Sequence, residues 1–260
     1  MEVFVYQFQA FLMILARLLG LFQVAPVFSS DSIPFAPKIL LSFMISLILF
    51  PVTAAYLPKV PGSMGVYALY VFSEILTGVL IGYTILVIFS AIQMAGEFFN
   101  VQIGFAYTEV LDPMTQVSLP VLSTLKNLLG ILIFLYTGMH RFMIEALAIS
   151  FQKIQFITMD LSLHKGILRS LESAIGAMFL VSFKIAFPVV GILLLVTITE
   201  SLMGKAAPQL NITQLSFPIK VVIGIFTLIS IMTFIVAQIQ AGFELSLDKV
   251  FTLMKDWPKQ

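Results

Sequence analysis

Six apolar runs, at about residues 3–24, 39–57, 66–98, 121–151, 167–203 and 215–247, leave this chain little choice but long hydrophobic helices. About 20 residues at 1.5 Å each cross a hydrocarbon core, so the later runs are too long for vertical spans. Each must tilt, break or continue beyond the bilayer, and Pro188 marks a position for a kink. Only 10% of the 260 residues are charged and 60% are hydrophobic, whereas soluble domains carry roughly 25% charged residues. The fold class is therefore all-α, an integral membrane protein of about six long kinked segments arranged as helical hairpins. The N-terminal stretch has no basic lead and no distinct small-residue cleavage site, so it reads as a retained first helix.

Several functions are set aside at this stage. A net charge of +1 gives no concentrated basic face for nucleic acid. The absence of cysteine removes disulfides, thiolate nucleophiles and Cys-ligated metals. His140 and His164 fall in no HExxH pattern and read as helix-end residues, and there is no GxSxG elbow or phosphate-cradling glycine loop. No cofactor, no metal and no catalysis are expected. Basic residues fall unevenly between the presumed spans. Lys59, Lys153, Lys165, Arg169, Lys249, Lys255 and Lys259 lie on one side, against Lys38, Lys205 and Lys220 on the other. The positive-inside rule then puts both termini in the cytoplasm.

The apolar pattern is interrupted most sharply at Gly104–Pro120. Asp112-Pro113 favours a turn there, and Pro120 suits the first turn of a following helix. The insert contains Phe105, Tyr107, Val110, Leu111 and Met114, which is more apolar than a solvated loop. Two other connections, 25–38 with Pro26 and Pro34 and 205–220 with Pro208, Asn211 and Pro218, share an Ala-Pro start and a nearby lysine. They are a possible internal repeat with unequal spacing.

Glu74, Gly78 and Gly82 recur every four residues, so they share one helix stripe where a second helix can approach closely. That helix could belong to the same chain or to another subunit. Gln93, Glu97, Asn100 and Gln102 lead into the insert, and polar groups there need water or a partner. They line a hydrated lumen or simply surface at a helix end. Arg17, Glu74, Lys126, Arg141, Glu145, Glu172, Lys184, Glu200 and Glu244 lie within or at the margins of apolar runs. Helical spacing pairs Arg141 with Glu145, and the others need partners on other helices, other chains or water. The acids do not gather on one helix face as a proton relay would require.

Arg17 ahead of Ala25-Pro26-Val27-Phe28 and Ile33-Pro34, the Glu74/Gly78/Gly82 stripe, QMAGEFFNVQIGFAYTEVLDP and PQLNITQLSFPIK occur in one order across nearly the whole chain. In these motifs the sequence resembles the FliR/SctT family of type III secretion export-gate proteins. The resemblance implies a FliP-like portion over about residues 1–203. A FliQ-like portion follows over about 204–260, together with part of the preceding helix. It also implies a gate assembled with FliP and FliQ subunits, with FlhB around the cytoplasmic entrance and FlhA around or below. Rod and inner basal-body proteins, membrane lipids and secreted unfolded proteins would be further partners. The site would be the bacterial inner membrane at the flagellar basal body, with the gate largely at periplasmic level. By residue match, Phe105–Leu119 would be a plug loop, including Asp112 and Pro113. Thr137-Gly138-Met139-His140 departs from the family, where many flagellar members have an acidic residue and Gly before the histidine. Membership of a virulence injectisome and a stand-alone secondary transporter are the alternative readings, the latter suggested by buried charges and proline-broken segments.

Overall fold

The computed structural model describes residues 2–30, 33–57, 63–104, 121–154, 161–207, 209 and 212–255. Among them there are eight α-helices, one short 3₁₀ turn and no strand. The helices are α1 (Glu2–Val24), α2 (Phe35–Thr53, followed by the 3₁₀ turn Ala54–Tyr56), α3 (Met64–Ile103), α4 (Val121–Tyr136), α5 (Met139–Lys153), α6 (Leu161–Ala206), α7 (Ile212–Ser230) and α8 (Met232–Lys255). Among the described residues, four helices are long and apolar enough to cross a membrane, or up to six spans if each bent pair counts as one. The all-α membrane architecture expected from the apolar runs is what the chain forms.

Neither break falls at a proline. The fourth run divides into α4 and α5 with a 65° bend at Thr137-Gly138, and Gly138 sits at φ 72 as the N-cap of α5. That left-handed conformation is open to glycine without a Cβ penalty. The sixth run divides into α7 and α8 with a 64° bend at Ile231. By contrast, helical structure passes without interruption through Pro188 in α6, Pro51 in α2 and Pro218 in α7.

The chain forms two compact units: Met1–Phe89, Phe134–Ala177 and Phe243–Gln260 make the first, and Ser90–Ile133 with Met178–Gly242 the second. The first unit is centred on Met13, Ile14, Leu18, Leu21 and Phe22 of α1 with Ile81 and Ile88 of α3, all buried. Phe89, Phe134 and Phe243 bring α3, α4 and α8 together, their centroids 5.6 to 6.4 Å apart. In the second unit Ile185, Val189 and Leu193 of α6 are buried, as are Ile92, Ala95 and Phe99 of α3 and Ile235 and Ile239 of α8.

Helix α2 shows what solvent this fold is built for. Its buried residues are Ser42, Ser46 and Thr53, while Leu40, Met44, Leu47, Ile48 and Val52 are exposed. Each of the three hydroxyls bonds a carbonyl four residues earlier, which satisfies it without water. Small residues inside and large apolar residues outside suit a helix whose surroundings are as apolar as leucine.

Candidate functional site

Two features stand out, one in each unit. In the first unit, α1 and α3 approach so closely that side chains are excluded at the seam. A Cβ on Gly78 would lie 2.0 Å from the Arg17 carbonyl oxygen, and one on Gly82 would lie 2.9 Å from that of Leu21. From the opposite side, a Cβ on Gly20 would lie 2.3 Å from the Ile75 carbonyl oxygen. The stripe thus faces another helix of the same unit. Gly20 was not singled out above, although the small pair Ala16 and Gly20 on α1 has the same four-residue spacing that marks Gly78 and Gly82.

The third member of the stripe is a charge partner. Arg17 and Glu74 are each 1% exposed, and Arg17 Nε donates to Glu74 Oε2 at 2.5 Å. The same guanidinium donates from Nη1 to Ser150 Oγ at 2.8 Å and from Nη2 to the Ile154 carbonyl at 3.2 Å. It also lies 4.0 Å from the ring centroid of Phe151. Ser150 in turn donates to the Leu147 carbonyl at 2.6 Å. Ile154 ends α5, so a cation there also complements the C-terminal end of the helix dipole. One side chain therefore joins α1, α3 and α5 and makes a hydrogen bond from each of its three nitrogens. Planar, multi-donor arginine suits this junction better than lysine would.

Just beyond Arg17, α1 ends in a turn at Ala25–Ser29. Pro26 is buried there and Val27 adopts φ 71, an unusual state for a β-branched residue. The Phe22 and Phe28 rings, 4.6 Å apart, pack across the turn. Pro34 is the N-cap of α2, and Lys38 Nζ donates to the Ser30 carbonyl at 3.2 Å. Pro208 and Asn211 of the other proline-rich connection lie outside the described residues.

The second feature is the polar end of α3 in the second unit. Gln93 and Glu97 are exposed, Gln102 is half-buried and Asn100 is buried. Asn100 Nδ2 reaches Glu97 Oε2 at 3.5 Å, while Asn100 Oδ1 is buried without a partner among the described residues. Helices α6 and α7 fix this end of α3. Phe98 stacks on Phe183 at 5.2 Å, Ser182 Oγ lies 3.4 Å from Met94 Sδ, and Ile103 lies against Gly224. Helix α3 then stops at Gly104, whose φ is 98 and whose N–H bonds the Asn100 carbonyl at 3.2 Å. This is a glycine helix terminus. The residues named for the insert itself, Phe105, Tyr107, Val110, Leu111, Asp112, Pro113 and Met114, lie outside the described residues. We expect Gly104→Ala to cost about 1–2 kcal/mol because alanine disfavours the left-handed region. Gly104→Asn should cost less, and thermal unfolding in detergent compares the two. Equal stability of the wild type and Gly104→Ala would contradict the cap.

No group of three or more His, Asp or Glu that could hold a metal ion occurs among the described residues. The bonded junction holds three helices of the first unit together. The sequence matches bacterial export proteins, family 1, over residues 8–246. The chain belongs to that family. Similar proteins include three named flagellar biosynthetic protein FliR. That of Pectobacterium carotovorum subsp. carotovorum is 32% identical over 212 residues, covering 82% of this chain and 80% of the relative. That of Bacillus subtilis (strain 168) is 26% identical over 254 residues, covering 95% of each. That of Escherichia coli (strain K12) is 28% identical over 247 residues, covering 93% of this chain and 90% of the relative. The matched span of the export family includes Arg17, the Glu74/Gly78/Gly82 stripe and the polar end of α3, so both features described above fall within it.

Proposed function

We propose that this chain is a non-enzymatic subunit of the flagellar type III secretion export gate, lining and plugging the channel taken by unfolded flagellar proteins. The observation that carries this reading is helix length combined with exposure. Helices α3 and α6 have 40 and 46 residues, about 60 and 69 Å at 1.5 Å per residue, against a hydrocarbon core about 30 Å thick. Exposed apolar side chains continue along α6 from Leu168 to Leu202. Hydrocarbon alone does not cover that length, so other protein must. Membership of a bacterial export family, with relatives named for flagellar biosynthesis, favours a flagellar gate over an injectisome gate and over a stand-alone transporter.

In this reading FliP and FliQ subunits supply the missing cover in a hetero-oligomeric gate. The chain contributes a FliP-like portion to about residue 203 and a FliQ-like portion after it. FlhB and FlhA act at the cytoplasmic side, rod proteins meet the other end, and the assembly sits at the inner membrane, largely at periplasmic level. The stretch 104–120 is the plug loop, entered through the polar end of α3 and Gly104. Gln93, Glu97, Asn100 and Gln102 give that entrance its hydration. Deleting Tyr107–Gln116 should raise ion conductance through the assembled gate several-fold, measured by leak across membranes containing the complex. Unchanged conductance would remove the plug. Recovery of the chain as a monomer with substrate-dependent uptake would instead favour a transporter.

A further inference from the structure

We infer that Lys184 of α6 pairs with a carboxylate presented from the middle of an apolar helix of a neighbouring gate subunit, and that this pair sets the register between the two helices. The inference rests on the gate reading and adds to it the chemistry of one contact. Lys184 lies within the candidate span Gly166–Ala206, about 27 Å along the helix axis from its start and about 33 Å from its end at 1.5 Å per residue. Its ammonium cannot reach either end by extending its stem, as lysines near helix ends do. Its side chain is exposed, and no acidic group pairs with it among the described residues.

Two other cations set within apolar helices, Arg17 and Lys220, are matched within the chain. Arg17 meets Glu74. Lys220 Nζ lies 3.3 Å from Glu200 Oε2, which also accepts the Ser216 hydroxyl at 2.7 Å. Against that pattern, Lys184 is a cation whose counter-charge lies elsewhere. Its surroundings narrow the choice of occupant. Leu180, Phe183 and Phe187, one turn away on either side or adjacent, are 50%, 53% and 75% exposed. A water-filled lumen over this face would wet those three side chains, and lipid tails would leave the ammonium unpaired. An apolar helix bearing one Asp or Glu covers the former and neutralises the latter.

The test uses the full chain co-expressed with its partner gate subunits and extracted in mild detergent. A hydrophobic carbodiimide, which joins an amine to an adjacent carboxylate as an amide, should link Lys184 to an Asp or Glu within an apolar helix of another subunit, identified by mass spectrometry. Lys184→Glu should lower the recovered complex about tenfold or more, as expected when a buried charge pair is made repulsive, while Lys184→Arg retains it. Changing the identified carboxylate to lysine should restore assembly with Lys184→Glu. Linkage of Lys184 to an acid of its own chain, such as Glu97, overturns the proposal, as does assembly of Lys184→Glu at wild-type yield. If Lys184→Glu fails to accumulate in the membrane, the crosslink in the wild-type complex decides. A wild-type chain that extracts with no partner overturns the gate reading itself and is seen before any substitution is made.

Discussion

Gly78→Leu should lower the thermal unfolding midpoint of the protein in detergent by about 6 °C or more, equivalent to a loss of about 3 kcal/mol or more. The atoms that a Cβ at residue 78 would meet are backbone: the Arg17 carbonyl oxygen at 2.0 Å, and the Arg17 carbonyl carbon and Leu21 nitrogen at 2.9 Å. No rotamer change moves them, so α1 and α3 must separate. A gap of 0.5–1 Å already removes about a quarter to a half of each dispersion contact across a seam, and the required shift is larger. The core of the first unit, including Leu18, Leu21 and Ile81, would be loosened together with the Arg17–Glu74 bond. Gly20→Leu should behave alike, since its Cβ meets the Ile75 carbonyl oxygen at 2.3 Å. An unfolding midpoint within about 2 °C of wild type for both substitutions would mean that the seam is not close-packed.

Removing one charge of the buried pair should be equally damaging. Glu74→Leu leaves the Arg17 guanidinium, 1% exposed, without its counter-ion, a change that costs about 3–5 kcal/mol. Arg17→Met leaves Glu74 in the same position. The double substitution Arg17→Met/Glu74→Leu removes both charges and keeps similar volume, and such replacements are often near neutral. The double variant still leaves Ser150 Oγ and the Ile154 carbonyl without their Arg17 donors, at about 1 kcal/mol each. It should nonetheless be more stable than either single variant, and a double-mutant cycle read by thermal unfolding should give a coupling of about 2 kcal/mol or more. Additive losses would show that the two side chains are not a bonded pair.

These two predictions also mark where reading the chain succeeds and where it stops. Four-residue spacing put Glu74, Gly78 and Gly82 on one stripe but left open whether the facing helix was in the same chain. The fold places α1 there, with Gly20 answering from the other side. The same spacing paired Arg141 with Glu145, whose side chains are both exposed on α5 and so gain little from pairing. The buried pair joins residues 57 positions apart, beyond any helical period. The break at Gly138 has a local cause in its left-handed backbone. The break at Ile231 has no comparable residue signal, and Pro188 sits in a helix that continues past it.

The sequence by itself determined the solvent, the fold class and the family: long apolar runs admit only helices in an apolar medium, because every backbone polar group must be satisfied within its own segment. It also located the polar approach to the insert, since side-chain chemistry along one helix is set by covalent order. Tertiary structure alone decided which charge meets which, that Arg17 binds Glu74, Ser150 and the end of α5 while Lys184 meets no counter-charge among the described residues. The physical reason is that helical periodicity is local, whereas the partner of a buried charge is whichever group the packing of distant helices brings within a few ångströms.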